Sequence, residues 1–276
     1  MPRELPLGVF DSGLGGLTVV RALREACPNE SILYLGDTAR VPYGARSAET
    51  VIKYAIGCAR LLVARGVKAI VVACNTVSAV ALDALRVELD IPVLGVIVPG
   101  ARAVVRAAGG GTIGVLATAG TIASGAYPRA VASLSTRAEV IGQSAPLLVP
   151  LAEEGWTEGD VPRLAARRYL EPLITRGARA IVLGCTHYPL LYDVIAAEAE
   201  ALAGRPVPVV DSAHATAEDV VTFLRERDLA SARSEPGGLE LLVTDLPASF
   251  AAVASRFLGH DVDEVALVDL NQRAPG

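Results

Sequence analysis

Short, uninterrupted apolar runs alternate along this chain with longer amphipathic stretches. Eight runs rich in Val, Ile, Leu and Ala have the length of strands: residues 5–10, 31–35, 69–73, 93–96, 112–116, 138–142, 180–183 and 207–210. Helical periodicity lies between them, for example at residues 48–65, 77–88, 160–176 and 213–227. Strands that are apolar throughout are buried on both faces, so the alternation predicts parallel sheets covered by helices. A weaker strand pair is predicted near residues 239–243 and 264–267.

The chain also contains two related halves. The sequence GVFDS at residues 8–12 corresponds to GVLAT at 114–118, and AIVVACNT at 69–76 corresponds to AIVLGCTH at 180–187. Buried strands share composition, so chance similarity is the alternative to duplication. Two matches in the same order favour two pseudo-symmetric, doubly wound parallel-sheet α/β domains with a cleft between them.

The predicted domain boundaries follow from the repeat. The first domain is expected to comprise residues 1–98 plus 209–276, and the second residues 99–208. The segment Ile97-Val98-Pro99-Gly100 is predicted to be a linker.

Composition excludes several classes of protein. The formal net charge is −5 and there is no long basic tract, which argues against nucleic acid as a partner. Glycines interrupt the longest uncharged stretch, residues 107–128, so no membrane span is expected. Four cysteines in 276 residues are too few for a disulfide framework and indicate a reducing, cytoplasmic location.

Two cysteines occupy matching positions in the two halves. Cys74 and Cys185 each follow a predicted strand, at the edge where parallel sheets bind ligands. A cysteine there is often only a small core residue, but the repetition favours function. If the halves face each other, one thiolate removes a proton from a carbon and the other thiol donates one to the opposite face. Such sulfurs would lie roughly 7 Å apart, which excludes a disulfide between them.

Other candidate residues lie near these cysteines in the predicted topology. Asp11 ends the first strand before a glycine-rich turn, where it could bind an ammonium group, accept a proton or cap a helix. His187 follows Cys185 by two residues and can stabilise a thiolate. The loop at residues 36–44 could cover the cleft with Tyr43 and Gly44 as hydrogen-bond donors, and Thr118 and Thr121 could add donors from the second half.

Taken together, four segments resemble the glutamate racemase family, within the cofactor-independent aspartate/glutamate racemases. They are VFDSGLGG at 9–16, the loop from Gly36-Asp37 to Pro42-Tyr43-Gly44, ACNT at 73–76 and GCTHYPL at 184–190. One departure is Ala117 before Thr118, where the family often has Gly. The last third of the chain adds few diagnostic residues.

The resemblance implies interconversion of L- and D-glutamate without a cofactor or metal, supplying D-glutamate for peptidoglycan. By this analogy Cys74 deprotonates D-glutamate with help from Asp11, and Cys185 deprotonates L-glutamate with help from Glu153 and His187. Glu153 is preferred to Glu154 because it directly follows the Pro-Leu-x segment at 150–152. The expected substrate contacts are Asp11, Ser12, Pro42, Tyr43, Gly44, Asn75, Thr76, Thr118, Thr121, Thr186 and His187. A homodimer is also expected.

Four other functions remain open from the residues alone. They are an aspartate or other amino-acid racemase, a Cys–His hydrolase that uses Cys185 as its nucleophile, a zinc enzyme with Cys74, Cys185 and His187 as ligands, and a small-molecule binding protein. The hydrolase interpretation gives Cys74 no role.

Overall fold

The structure, a computed structural model, describes residues 2–262 and 264–270. Ten strands in this part of the chain form two separate parallel sheets. The strands are β1 (Leu7–Asp11), β2 (Ile32–Gly36), β3 (Ala69–Val72), β4 (Val93–Gly95), β5 (Ile113–Ala117), β6 (Val140–Ser144), β7 (Ala180–Gly184), β8 (Val209–Asp211), β9 (Leu239–Val243) and β10 (Ala266–Leu267).

Twelve α-helices connect and cover these strands within the described residues. They are α1 (Leu17–Ala26), α2 (Ala48–Ala64), α3 (Asn75–Val80), α4 (Leu82–Glu88), α5 (Ile97–Ala108), α6 (Ala119–Ser124), α7 (Ala126–Leu134), α8 (Leu148–Glu153), α9 (Asp160–Thr175), α10 (Tyr192–Ala203), α11 (Ser212–Glu226) and α12 (Pro247–Leu258). Short 3₁₀ helices lie at Pro2–Glu4, Thr38–Arg40, Tyr43–Ala45 and Tyr188–Leu191.

The two sheets repeat one topology. The first has the order β10-β9-β2-β1-β3-β4 and the second β6-β5-β7-β8. The four strands of the second sheet correspond in order to β2-β1-β3-β4 of the first, with β5 in the place of β1 and β7 in the place of β3. Those are the strands whose sequences matched, so the predicted pseudo-symmetric pair of parallel sheets is confirmed.

The central strands of each sheet are buried on both faces. In β1, Val9 belongs to the core under one face and Phe10 to the core under the other. In β5, Val115 and Leu116 divide in the same way. Successive side chains of a strand point to opposite faces, which is why these strands have apolar residues at consecutive positions rather than at every second one.

All ten predicted strands are present, with ends displaced by up to two residues. The predicted helix at 77–88 is two helices, α3 and α4, which meet at Ala81. The predicted linker at residues 97–100 is wrong, because it forms the first turn of α5. Proline is compatible with a first helical turn, where its missing N–H removes no hydrogen bond.

The chain crosses between the sheets twice. Residues up to Gly95 belong to the first sheet, and β5 to β8 form the second. Because β8 pairs with β7, the return to the first sheet follows Asp211, although the sequence assigned residues from 209 onward to the first domain. The exact domain boundaries stay a prediction, and residues 271–276 lie outside the described part. No helix in the described residues is both long and apolar enough to cross a bilayer.

Candidate active site

A cavity of about 280 Å³ lies between the carboxyl ends of the two sheets. Both Cys74 and Cys185 line it, at the ends of β3 and β7. The first half also contributes Ser12, Pro42, Tyr43, Gly44, Asn75 and Thr76, and the second half contributes Thr118, Glu153, Thr186 and His187. A wider cavity of about 950 Å³, lined by Arg21, His214 and Arg256 among others, contains neither cysteine.

Cys74 is a buried thiol held between polar groups of the first half. Its Sγ donates to the Ser12 hydroxyl at 3.6 Å, and the Val77 N–H at the start of α3 also interacts with it. Burial and then the negative charge of Asp11 raise the pKa of Cys74 to about 12. This cysteine is therefore a neutral thiol at neutral pH, suited to donating a proton.

Asp11 lies behind Cys74 rather than at the cavity wall. Its Oδ2 accepts the N–H groups of Gly16 (2.8 Å) and Gly13 (3.4 Å), so it caps the turn that leads into α1. A Cβ on Gly16 would lie 2.5 Å from the Asp11 Cβ, so this close approach requires glycine. The buried Oδ1 has no hydrogen-bond partner among the described residues. One carboxylate oxygen of Asp11 is therefore free to accept a proton. Direct contact with the substrate would require Asp11 to line the cavity, and it is not among the lining residues.

Cys185 begins a relay of three side chains in the second half. The Nδ1 of His187 lies 3.9 Å from the Cys185 Sγ, and its Nε2 lies 2.9 Å from Oε1 of Glu153 at the end of α8. Burial of the ring disfavours the imidazolium, but Cys185 and Glu153 stabilise it and raise the pKa of His187 to about 10. A protonated His187 can stabilise a thiolate at Cys185. Glu154 is exposed and does not line the cavity, so Glu153 is the acid that meets His187.

The loop after β2 is fixed by a buried carboxylate. Asp37 accepts hydrogen bonds from Arg40 (2.7 Å) and Thr244 (2.8 Å) and a short one from the Tyr43 hydroxyl. Tyr43 lines the cavity, but its hydroxyl is committed to Asp37 and does not serve as the free donor expected from the sequence. Gly44 approaches the second half so closely that a Cβ would lie 2.9 Å from the Cβ of Thr118.

Three threonine hydroxyls join the halves beside this loop. We call Thr76, Thr118 and Thr121 the threonine cluster; their Oγ1 atoms lie 3.0 Å (Thr76–Thr118), 3.1 Å (Thr118–Thr121) and 3.3 Å (Thr76–Thr121) apart. Thr76 and Thr118 line the cavity. Thr121 is buried behind them and is not a cavity-lining residue, in contrast to the prediction.

Asn75 presents an unpaired donor at the first turn of α3. Its Oδ1 accepts the Tyr127 hydroxyl from the second half at 2.9 Å. Its buried Nδ2 has no partner among the described residues. Because a buried polar group without a partner is costly, this amide is suited to a ligand carboxylate in the cavity it lines.

Four residues near the site had no assigned role in the sequence analysis: Asp37, Tyr127, Arg256 and Phe257. Asp37 lies in the loop motif at residues 36–44, so its place near the site could have been predicted from that motif. The other three reach the site from surrounding helices and carry no local motif. Among the described residues, no group of three or more His, Cys, Asp or Glu side chains could hold a metal ion.

Comparison with known proteins identifies the relatives of this chain. The profile of the Asp/Glu/Hydantoin racemase family matches residues 8–220. The glutamate racemase of Geobacter metallireducens is 49% identical over 264 residues, covering 96% of both chains. The crystal structure of glutamate racemase isoform RacE1 from Bacillus anthracis is 37% identical with a TM-score of 0.92, covering 98% of this chain and 100% of that one. That of glutamate racemase from Francisella tularensis, in complex with D-glutamate, is 36% identical with a TM-score of 0.89, covering 98% and 99%.

Proposed function

Because the chain belongs to the Asp/Glu/Hydantoin racemase family, we propose that it interconverts L- and D-glutamate with Cys74 and Cys185 as its two acid–base groups. The observation that carries this mechanism is that both thiols are free and line one cavity, one from each half. A hydrolase needs only one of them. A reaction that inverts a stereocentre needs a proton acceptor on one side and a donor on the other.

The environments of the two cysteines favour a specific starting state. The His187 imidazolium lies beside the Cys185 sulfur, where it can stabilise a thiolate, and Cys74 is the neutral thiol. In the L-to-D direction, the α C–H bond breaks as an S–H bond forms at Cys185. The S–H bond of Cys74 breaks as a new C–H bond forms on the opposite face. In the reverse direction, the free Oδ1 of Asp11 accepts the proton that Cys74 must lose before it can act as a base, and the His187 imidazolium gives Cys185 the proton that it then donates to the α-carbon. Proton exchange with solvent returns Asp11 and His187 to their starting states.

Neutral donors hold the substrate in this proposal. No Lys or Arg side chain lies among the described residues that line the cavity. The carboxylates of glutamate therefore bind the Asn75 amide and the hydroxyl or N–H groups of Ser12, Thr76, Thr118 and Thr186. Donors aimed at a carboxylate stabilise the negative charge that develops on it as the α-proton leaves.

The finer assignments are also part of the proposal. We place the enzyme in the cytoplasm, where its free cysteines stay reduced and its product enters peptidoglycan synthesis. We assign residues 1–98 with 209–276 and residues 99–208 to its two domains, with the second boundary moved to follow Asp211 because β8 pairs with β7. We further propose a homodimer, because Trp156, Val161 and Leu164 each expose about half of their surface. Light scattering that gives the mass of one chain would refute the dimer.

The mechanism is tested by incubating the protein with L-glutamate in D₂O without added cofactor. We expect loss of optical rotation with deuterium at the α-carbon of the product. Cys74→Ser and Cys185→Ser should each abolish racemisation, whereas Cys58→Ser, a buried cysteine outside the cavity, should retain it. A Cys74→Ser variant with full activity would refute the two-thiol mechanism. Racemisation of L-aspartate but not L-glutamate would refute the substrate assignment.

A further inference from the structure

Helix α12 belongs to the first half of the molecule but ends against the acid–base groups of the second. Phe250, near its start, contacts Tyr34 of β2 with ring centroids 6.2 Å apart. The helix packs into the core around the first sheet through Phe250, Ala254, Phe257 and Leu258. Its last turn thus extends from a rigid core towards His187 and Glu153.

Phe257 contacts His187 directly. The two rings are perpendicular, at 85°, with centroids 5.4 Å apart, and only 1% of Phe257 is exposed. Edge-to-face packing of this kind fixes the plane of a ring. His187 needs such support because its Nδ1 lies 3.9 Å from the Cys185 sulfur, too far for that contact alone to fix the ring.

Arg256, the preceding residue, holds the partner of His187. Its Nη1 donates to the backbone carbonyl of Glu153, and a Cβ on Gly155 would lie 3.2 Å from the Arg256 guanidinium carbon. The Glu153 side chain is 41% exposed, so burial does not fix it. The arginine instead fixes the backbone from which this carboxylate reaches Nε2 of His187.

We propose that Phe257 and Arg256 are positioning residues. They hold the His187–Glu153 pair in the position from which His187 contacts the Cys185 sulfur. The proposal rests on the proposed function, because that function gives Cys185 its acid–base role. Proton transfer on one side of the substrate then depends on a helix supplied by the opposite half. Neither residue touches the cavity that contains the cysteines, so their effect is transmitted through His187 and Glu153.

Phe257→Leu tests the ring contact, with Phe250→Leu as its matched control on the same helix. Both changes shorten a buried Phe and weaken the same core, but only Phe257 contacts His187. For Phe257→Leu we expect kcat to fall about 10- to 100-fold with KM changed less than about twofold, because a small displacement affects the reacting atoms more than binding. Phe250→Leu should lose stability without this loss of kcat.

A second readout needs no racemase activity. Cys185 and Cys74 line the same cavity and are 6% and 5% exposed, so their rates of alkylation by iodoacetamide can be compared within one molecule by peptide mass spectrometry. We expect Phe257→Leu to lower the ratio of Cys185 to Cys74 alkylation, because His187 no longer stabilises the Cys185 thiolate as well. An unchanged or higher ratio overturns the proposal.

Arg256→Met and Arg256→Lys test the second contact. The Met variant loses the hydrogen bond to Glu153 and should lower both kcat and the alkylation ratio, and the Lys variant keeps a donor and should restore part of each. Equal behaviour of Met and Lys variants refutes the role of Arg256. If the wild-type protein does not racemise glutamate, the proposed function fails. If the wild type is active and Phe257→Leu matches Phe250→Leu in kcat, the positioning role fails.

Discussion

Replacing Gly15 by alanine should disable the active site without contact with the substrate. An ideal Cβ at this position would lie 2.2 Å from the Thr186 Oγ1, 2.5 Å from the His187 Nδ1 and 2.7 Å from its Cε1. The hydroxyl of Thr186 can rotate away. The histidine cannot yield so easily, because two atoms of one rigid ring are involved and Phe257 packs against that ring.

The required movement sets the size of the effect. Ordinary contacts of a Cβ begin near 3.4 Å, so the His187 ring must shift by about 1 Å, a displacement that costs about 100-fold in rate. In free energy this is about 2.7 kcal/mol of transition-state stabilisation. Overpacking should also lower the free energy of unfolding by about 1–3 kcal/mol. Formation of D-glutamate from L-glutamate measures kcat, and urea denaturation measures stability.

Gly57→Ala is the matched control. Gly57 lies inside α2, and its Cβ would meet its nearest neighbour, a Leu270 side-chain atom, at 3.9 Å. We expect unchanged activity and a gain of about 1 kcal/mol in stability, since alanine favours a helix interior over glycine. A Gly15→Ala enzyme with kcat within about threefold of the wild type would refute the argument, because a 1 Å displacement of His187 predicts a much larger loss.

Two further predictions concern ionisable groups. Since the pKa of His187 is raised to about 10, kcat/KM should fall as the pH rises through about 10 and the imidazolium is lost. Glu153→Gln removes a carboxylate that raises this pKa, so the fall should move to lower pH, while Glu154→Gln leaves it in place; equal shifts in both variants would contradict this assignment. Lys68→Met should lower the free energy of unfolding by about 3–5 kcal/mol in urea titrations, because the fully buried ammonium of Lys68 pairs with the buried Glu30 carboxylate. A loss below about 1 kcal/mol, typical of a surface pair, would contradict this expectation.

The fold could be predicted largely from the chain because its central strands are apolar at consecutive positions. That pattern requires both faces to be covered and leads directly to parallel sheets between helices. The error at residues 97–100 has a local cause. Proline and glycine are typical of loops, yet Pro99 also fits the first turn of α5, and only packing distinguishes the two.

The site was predictable where strand ends determine it. Cys74, Cys185 and His187 follow β3 and β7, so the topology alone brings them to one edge. The sequence predicts that Thr121 contributes a donor to the site because it follows the strand at residues 112–116. In the structure its N–H donates to the Thr118 hydroxyl in the first turn of α6, which directs Thr121 behind its neighbour.

Contacts that cross between the halves could not be predicted in this way. Phe257 and Tyr127 reach His187 and Asn75 from distant helices, through ring packing and a single hydroxyl. Such contacts depend on how the two halves of the molecule pack against each other. Neither the residue types nor their spacing within α7 and α12 predicts that arrangement.

The threonine cluster affects the free energy needed to separate the two halves beside the cavity. Where the two halves meet through hydroxyls, parting them exposes groups that water satisfies almost as well as they satisfy each other. An aliphatic interface of the same extent would cost more free energy to separate, because separation would expose apolar surface to water. Separating the two halves at this edge therefore costs less free energy than separating an aliphatic interface of the same extent.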